Sequence, residues 1–195
     1  FHVTVTLRVP PVYVVWVRRC GTSGRRNNYV DMVVTRNSNR DGDQIMVNTF
    51  LPYADFKQVA KALDNKRLGK QRVEAFQILK ANLGLTQGWR NHPAAVMWRG
   101  NEGLLAAYAL VICKEWRDRG FFDNTSQQII ELMKQYNLKP IRRKPWWLGN
   151  EEFHESHQSN LKRKLPEHYN FDVADDMPYK WPMPDGSFRV IKKEK

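Results

Sequence analysis

The sequence has little cysteine and no long apolar run. Its 195 residues include two cysteines, Cys20 and Cys113, which lie far apart in different surroundings. We interpret them as reduced thiols of a cytoplasmic protein, because a disulfide framework needs more cysteines at closer spacing. The sequence also lacks an apolar run of about 18 residues, the length that a membrane-spanning helix requires, so no membrane partner is expected.

Short motifs of several enzyme classes are missing as well. There is no P-loop, no Gly-x-Gly-x-x-Gly, no Cys-x-x-Cys and no Gly-x-Ser-x-Gly, so nucleotide hydrolysis, zinc-ribbon and serine-hydrolase functions have no support. His154 and His157 have a spacing that can hold a metal, but a third ligand, such as Glu151 or His92, would be needed. Such pairs more often hydrogen-bond to backbone, solvent or phosphate, and we expect neither a metal nor another cofactor.

Acidic residues are few relative to basic ones. The chain has 32 Lys and Arg against 20 Asp and Glu, a formal net charge of +12 and a pI of about 9.9. This excess indicates a polyanionic partner, with nucleic acid ahead of anionic lipid. Hydrophobic residues make up 42% of the chain, which is enough for the core of a single domain.

Lysine is missing from residues 1–45, which contain seven Arg, whereas residues 46–195 contain ten Arg and fifteen Lys. Three interpretations compete for this segment: a basic arm, a disordered extension, or upstream sequence translated ahead of a true start at Met46. We favour the last, because everything that patterns like a domain begins at Met46. The predicted organisation is therefore an N-terminal extension over 1–45 and a helical domain over 46–195.

The pattern from Met46 onward predicts a single compact all-α domain. Asp55 is the expected N-cap of a first helix, and a second helix follows a bend at Asp64 and continues to about Asn82. Pro93 suits the first turn of a third helix that Asn91 would cap. Residues 102–119 form the most apolar helix and are expected to be central.

Two further helices and a hairpin are predicted beyond residue 120. Thr125 or Ser126 is the expected cap of one helix, and Asn150 is the cap of another that Pro166 stops. The turn signal Pro184-Asp-Gly186 separates two short β-prone runs, 179–183 and 188–191. This arrangement predicts a small C-terminal hairpin.

The stretch Asp64-Asn-Lys-Arg-Leu-Gly-Lys-Gln-Arg-Val-Glu74 concentrates charge on one predicted helix. Arg67, Lys70, Gln71 and Glu74 share a helix face, so the stretch is either a phosphate-facing surface that ends in an acid or a solvated face with a Lys70–Glu74 pair. Arg72 falls inside the apolar stripe, where its charge needs a partner or solvent.

Aromatic and cationic residues occur together in three later clusters. These are Trp89-Arg-Asn-His92, Met97-Trp-Arg-Gly100 and the basic loop 139–149, which ends in Trp146 and Trp147. The mixture suits stacking on bases combined with phosphate binding. The alternative is that the tryptophans close the side of a small core.

Taken together, these pieces resemble a known family. The segments Asn48-Thr-Phe-Leu-Pro-Tyr53, Lys66-Arg-Leu-Gly-Lys-Gln-Arg-Val-Glu74, Asn91-His-Pro-Ala94, Met97-Trp-Arg-Gly100 and Pro145-Trp-Trp-Leu-Gly149 look like a bacterial and phage branch of the pyrimidine-dimer DNA glycosylases of the endonuclease V type. The resemblance covers roughly 120 residues, and it implies a compact all-α domain, as the helix pattern does.

The resemblance also implies a chemistry. In that family the amine exposed by removal of the initiator Met attacks C1′ of the damaged nucleotide, a carboxylate on an early helix assists, and β-elimination nicks the strand. An amino terminus has a pKa near 8, so part of it is neutral and nucleophilic at neutral pH. Here a start at Met46 with Met removed would expose Val47, where the family has Thr.

Aligning Arg72-Val73 with the family's Arg-Val places Gly69 where the family has its catalytic Glu, and we expect Glu74 to replace it. The predicted catalytic residues are therefore Val47 and Glu74. The predicted DNA-binding residues are Lys66, Arg67, Lys70, Arg72, Arg90, His92, Arg99, Trp146, Trp147, His154 and His157.

The resulting prediction is a monomeric, cytoplasmic DNA repair glycosylase/AP lyase that acts on damaged pyrimidines in double-stranded DNA through a Schiff base. An extruded base would stack on Trp89, Trp98, Trp146 or Trp147. Because Gly69 stands at the acid position, a non-catalytic nucleic-acid-binding module on the same fold remains the alternative.

Overall fold

The computed structural model describes residues 47–140 and 144–191. Within these ranges the chain forms six helices and one two-stranded sheet. The elements are α1 (Phe56–Ala62), α2 (Asn65–Asn82), α3 (Pro93–Val96), α4 (Glu102–Asp118), α5 (Thr125–Gln135), α6 (Glu151–Lys164), β1 (Tyr179–Pro182) and β2 (Phe188–Ile191). The predicted extension 1–45, the proposed start at Met46 and the basic pair Arg142-Arg143 lie outside the described residues.

Side-chain caps separate α1 from α2. The Asp55 carboxylate accepts the N–H of Gln58 at the start of α1. The Asp64 carboxylate accepts the N–H groups of Lys66 and Arg67 at the start of α2, so the predicted cap and bend are confirmed. Burial would raise the pKa of Asp64, but hydrogen bonds from Tyr169 and Arg67 lower it to about 2, which keeps this cap ionised.

Arg119 holds the C-terminus of α1 against α4. Its guanidinium donates to the carbonyls of Ala60, Lys61 and Leu63 at distances of 2.7–3.1 Å. These are the carbonyls that a helix end leaves without intrahelical partners, and a cation there also complements the helix dipole. The short helix α1 is thus fixed to the central helix by one side chain.

The core lies between α2 and α4, with α1 and α5 packed beside them. Helix α4 contributes fully buried side chains along one face, including Leu105, Tyr108 and Ile112, which confirms the expected central helix. Gly103 at its first turn lies under the backbone of Lys139, because a Cβ there would come within 2.0 Å of the Lys139 carbonyl oxygen. A larger residue would push this connection off α4.

The predicted hairpin is confirmed. β1 and β2 pair antiparallel with Tyr179 opposite Ile191, and β1 packs on α6. Trp181 on β1 is buried, so the hairpin closes one side of the core.

Two predicted caps differ from the structure. α3 is capped by His92, whose Nδ1 accepts the N–H of Ala94, and not by Asn91. α5 begins at Thr125 itself, and its first N–H groups are bound by the carboxylate of Asp123. In both cases the capping side chain lies next to the predicted one, because several residues there can accept the same bond.

None of the helices in the described ranges is long and apolar enough to cross a membrane.

Candidate active site

The segment 48–52 has irregular backbone at the entrance to the helical domain, yet it is largely buried. Buried backbone groups without partners are costly, and here side chains supply the partners that a sheet would otherwise give. Five side chains bind its backbone: Gln71, Tyr108, His154, His157 and Gln158. Trp98 and Tyr179 bind the side chains of Thr49 and Asn48. The segment is therefore fixed from α2, α4, α6 and β1 at once.

Gln71 is the central contact of this arrangement. Its Nε2 donates to the carbonyl of Asn48 at 2.7 Å, and its Oε1 accepts the N–H of Phe50 at 2.8 Å. The donor and the acceptor of the fully buried Gln71 amide thus bind the backbone of two residues, Asn48 and Phe50. Tyr179 adds a hydrogen bond of 2.7 Å to the Asn48 side chain.

His154 and His157, which were predicted to bind DNA, hold the other end of the segment. His154 Nδ1 lies 2.7 Å from the Leu51 carbonyl, and its Nε2 accepts the N–H of Gly149. His157 Nδ1 accepts the Leu51 N–H at 3.1 Å. Burial lowers the pKa of both imidazoles, that of His157 to about 3. Both rings are therefore neutral at pH 7 and occupied by backbone.

Glu74 lies one turn beyond Gln71, beside the beginning of the same segment. Its side chain is 5% exposed, and its Oε1 lies 3.3 Å from the Lys70 ammonium, so the pair of the second interpretation is present although Glu74 is not solvated. Burial raises the pKa of Glu74 to about 7, against the opposing effects of Lys70, the backbone N–H of Asn48 and Lys164. A carboxyl with this pKa can give or take a proton near neutrality.

The effect of Asn48 on the pKa of Glu74 indicates where Val47 lies. The Asn48 N–H that acts on Glu74 belongs to the peptide bond formed by Val47. The nitrogen of Val47 is three bonds away from that of Asn48, hence within about 4 Å of it. The two residues predicted to be catalytic, Val47 and Glu74, therefore lie beside each other.

Gly69 cannot carry an acid in this fold. A Cβ at Gly69 would lie 2.8 Å from the Trp116 ring, and Trp116 is itself held between the Arg72 guanidinium and the Phe121 ring. A glutamate at this position would have to displace the indole. Of the two positions considered for the acid, only Glu74 lies against the segment 48–52.

Two of the predicted DNA-binding cations form ion pairs with acidic residues of the fold. Arg67 pairs with Asp64 at 2.7 Å and lies over the Tyr169 ring. Arg72 pairs with the buried carboxylate of Asp123, which is the partner that a cation inside an apolar stripe requires. Neither side chain is more than 16% exposed, so we assign both to stability.

The remaining predicted cations are exposed. Lys66 and Lys70 project from α2, and Lys70 is 58% exposed. Arg90 and Arg99 line one polar cleft of about 740 Å³ together with Asn82, Gln87 and Asn91.

Ala81 also lines this cleft and is seven residues beyond Glu74 on α2. Seven residues make about two turns, so the cleft and Glu74 lie on the same side of α2, roughly 10 Å apart along its axis.

The predicted aromatic residues divide by burial. Trp98 and Trp147 belong to the core, with ring centroids 5.0 Å apart, which is the alternative stated above. Trp89 and Trp146 are exposed. Trp89 has φ +67°, an unusual conformation for a bulky residue, and its ring meets His92 edge-on at 5.8 Å.

Sequence reasoning missed Gln71, Tyr108 and Tyr179 as partners of the segment 48–52. From the sequence alone, Gln71 is recognised only as a polar residue on the helix face that also carries Glu74. Its separation of 21 residues from Phe50 leaves no signature in a single sequence, whereas Asp123 could have been sought as the partner that Arg72 requires.

These features define a class: a basic helical protein in which an early helix sets a buried carboxyl beside the start of an anchored segment. Residues 47–129 match the family model described as pyrimidine dimer DNA glycosylase. This match covers less than half of the chain, contains both Val47 and Glu74, and confirms the resemblance deduced from the motifs. Comparisons with curated proteins and with solved structures give no match.

Proposed function

We propose that residues 47–195 form a DNA glycosylase and AP lyase that acts on damaged pyrimidines in double-stranded DNA, with the amine of Val47 as nucleophile and Glu74 as its acid–base partner. One observation carries the proposal: the buried carboxyl of Glu74 is near enough to the N–H of Asn48, the residue after Val47, for that N–H to lower its pKa. A family match over residues 47–129 supports the glycosylase part.

The anchoring of the segment 48–52 supports the role of Val47. A nucleophile reacts fastest when it is held in one orientation, because the entropy of positioning is lost before the reaction. Gln71 fixes the carbonyl of Asn48 and Tyr179 fixes its side chain. Val47 therefore precedes a residue, Asn48, whose backbone and side chain are both held by hydrogen bonds.

The chemistry proceeds in balanced steps. The neutral amine of Val47 forms a bond to C1′ while the bond from C1′ to the base breaks, and the departing base takes up a proton. Opening of the sugar at O4′ gives a protonated Schiff base. Removal of one C2′ proton then expels the 3′ phosphate, and water releases the enzyme.

Glu74 suits the proton transfers of this sequence. With a pKa raised to about 7, it exists in both protonation states near neutral pH, so it can protonate a leaving group and accept the C2′ proton. Lys70, 3.3 Å from its Oε1, favours the ionised form and places a positive charge where a phosphate can approach.

Borohydride trapping tests the proposal. A protein that begins at Val47 should form a covalent adduct with DNA carrying an abasic site, because borohydride reduces the Schiff base. The matched control is the full 195-residue chain, in which the nitrogen of Val47 is an amide and cannot react. Absence of an adduct from the folded, DNA-binding protein that begins at Val47 would disprove the lyase.

The second candidate is a nucleic-acid-binding module without catalysis. Gly69 favours it, because the family's acid position is filled by Trp116. This candidate predicts salt-sensitive DNA binding together with no adduct and no nicking by the protein that begins at Val47.

A further inference from the structure

Tyr179 links the C-terminal hairpin to the residue that follows the proposed nucleophile. It lies on β1, and its hydroxyl donates to Asn48 Oδ1 at 2.7 Å. The family match ends at residue 129, so this contact comes from a part of the chain outside the match. The hairpin therefore does more than close one side of the core.

Asn48 is held through three of its polar groups. Its carbonyl accepts from Gln71, its side-chain oxygen accepts from Tyr179, and its N–H is near enough to Glu74 to lower the pKa of that carboxyl. The two backbone groups alone would leave Asn48 free to turn about the line that joins them. The bond from Tyr179 acts on the side chain and prevents this rotation.

The donor itself has a fixed position and a fixed protonation state. The Tyr179 ring lies between those of His157 and Trp181, with centroids 4.7 and 4.9 Å away. Burial raises the pKa of Tyr179, and the nearby charge of Glu74 raises it further. The hydroxyl therefore keeps its proton near neutral pH and is available to donate to Asn48.

We propose that Tyr179 is a positioning residue of the proposed active site, because its hydroxyl holds Asn48 and thereby keeps the amine of Val47 directed towards Glu74. The inference rests on the proposed function, in which this amine is the nucleophile. The Val47 side chain is 1% exposed, so its packing also restricts the rotation that would carry the amine away. Misplacing a reacting group by about 1 Å can cost on the order of 10²-fold in rate.

The variant Tyr179→Phe isolates the hydroxyl. It keeps the aromatic ring and its packing, and Asn48 is only half-buried, so water can replace the lost donor. The buried core from Val47 to Trp181 belongs to one compact unit, Asp43–Lys195. A protein that begins at Val47 keeps this core whole, and it should fold with or without the hydroxyl.

Single-turnover trapping tests the proposal. Proteins that begin at Val47 are mixed, at saturating excess, with DNA carrying an abasic site, and the rate of adduct formation under borohydride is measured. Tyr179→Phe should slow this rate by about tenfold. Its affinity for a duplex with a tetrahydrofuran residue, a stable analogue of the abasic site, should be unchanged. A purely structural hydroxyl would change the melting temperature but not the rate of the folded, saturated protein.

Two further variants control the experiment. Asn48→Ala removes the same hydrogen bond from its other end, so it should slow the reaction by a similar factor. The double variant Asn48→Ala/Tyr179→Phe should be no slower than either single variant, because all three lack one shared interaction. Tyr169→Phe removes a hydroxyl bound to Asp64, ten residues before Glu74 and about 15 Å away along α2, and should keep the wild-type rate.

An NMR titration without DNA separates this inference from the proposed function. In protein with isotope-labelled valine, the Cα signal of Val47 should respond to its own amine and, in a second step near pH 7, to Glu74. Tyr179→Phe should lose most of the second step, because the interaction between two groups weakens with distance. Tyr169→Phe should keep it.

The outcomes decide the two proposals independently. If the wild-type protein forms no adduct, the lyase is disproved, and the titration alone decides the role of Tyr179. An unchanged titration in Tyr179→Phe overturns the inference with or without an adduct. Where the wild-type protein does form the adduct, an unchanged rate in Tyr179→Phe, or a loss explained by weaker DNA binding, overturns it as well.

Discussion

At the scale of single residues, the protonation state of Glu74 is the most consequential feature. A carboxyl that is 5% exposed, with a pKa raised by burial to about 7, is unfavourable for stability but useful for proton transfer. Perturbed acids of this kind concentrate at functional sites, and this one lies beside the residue proposed to supply the amine.

Glu74→Gln should remove strand cleavage while leaving DNA binding intact. We expect cleavage by the protein that begins at Val47 to fall about 100-fold or more, the usual contribution of a general acid or base. Gel-based nicking and trapping assays measure the loss, and the dissociation constant for intact DNA should change less than about twofold. Undiminished cleavage would exclude Glu74 from the chemistry.

The same variant should be more stable than wild type at neutral and higher pH. The unfolded chain ionises Glu74 near the ordinary pKa of 4.5, whereas the folded chain keeps the proton until pH 7. The contribution of Glu74 to the stability of the wild-type protein therefore falls as pH rises from 4.5 to 7. Urea unfolding should show the two proteins converging near pH 4.5 and separating by roughly 3 kcal/mol above pH 7. Glu131→Gln, at an exposed acid, is the control.

Other residues show how much burial alters a prediction made from a pattern. Arg72 was recognised as a cation needing a partner, but only the fold identifies Asp123. Trp146 and Trp147 are adjacent in sequence and identical in type, yet the first is exposed and the second is buried. A sequence indicates that such residues occur together, whereas tertiary packing decides which of them meets solvent.

At the scale of elements, the helices and the hairpin could be predicted, because caps, glycines, prolines and apolar spacing are local signals. The segment 48–52 could not, because its structure depends on partners from α2, α4, α6 and β1. The motif that carries the family resemblance at Asn48 is therefore also the part of the chain whose structure depends most on distant residues.

Protonation of His157 should loosen this segment in acid. Burial lowers the pKa of His157 from 6.5 to about 3, so the unfolded chain takes up a proton below pH 6.5 that the folded chain refuses. Stability contributed by the neutral ring is present above pH 6.5 and is lost as pH falls toward 3. The contribution of His157 to the unfolding free energy should therefore fall across this range, while that of Glu74 rises as pH falls from 7 to 4.5.

The variant His157→Gln isolates this effect. It should be less stable at pH 7, because the N–H of Leu51 loses its acceptor, but its stability should fall less steeply in acid. The slope should be smaller by up to about 1.4 kcal/mol per pH unit, the value for one proton. His168→Gln, at an exposed histidine, should keep the wild-type slope, and equal slopes in all three proteins would contradict the assignment.

At the scale of the whole molecule, the excess of positive charge is divided between two tasks. Arg67, Arg72 and Arg119 are used inside the fold, where they pair with acids or bind helix carbonyls. Lys66, Lys70, Arg90 and Arg99 have exposed side chains. The net charge of +12 predicts a polyanionic partner but does not distinguish these groups, because composition contains no information on burial.

Salt dependence should separate the two groups. Each cation that contacts phosphate in duplex DNA adds about 0.9 to the slope of log K against log salt concentration. Single alanine substitutions of Lys66, Lys70, Arg90 or Arg99 should reduce the slope by about that amount, and those of Lys66, Arg90 and Arg99 should leave thermal stability nearly unchanged. Arg67→Gln should instead lower the melting temperature, because it leaves the Asp64 carboxylate without its cation, while the slope stays at the wild-type value.

Lys114→Ala, an exposed lysine of α4 paired with Asp118, should affect neither quantity. If Arg67→Gln changed the slope and the four exposed cations did not, the DNA-binding surface would have to be placed along the start of α2 and Tyr169 instead of the cleft between Arg90 and Arg99.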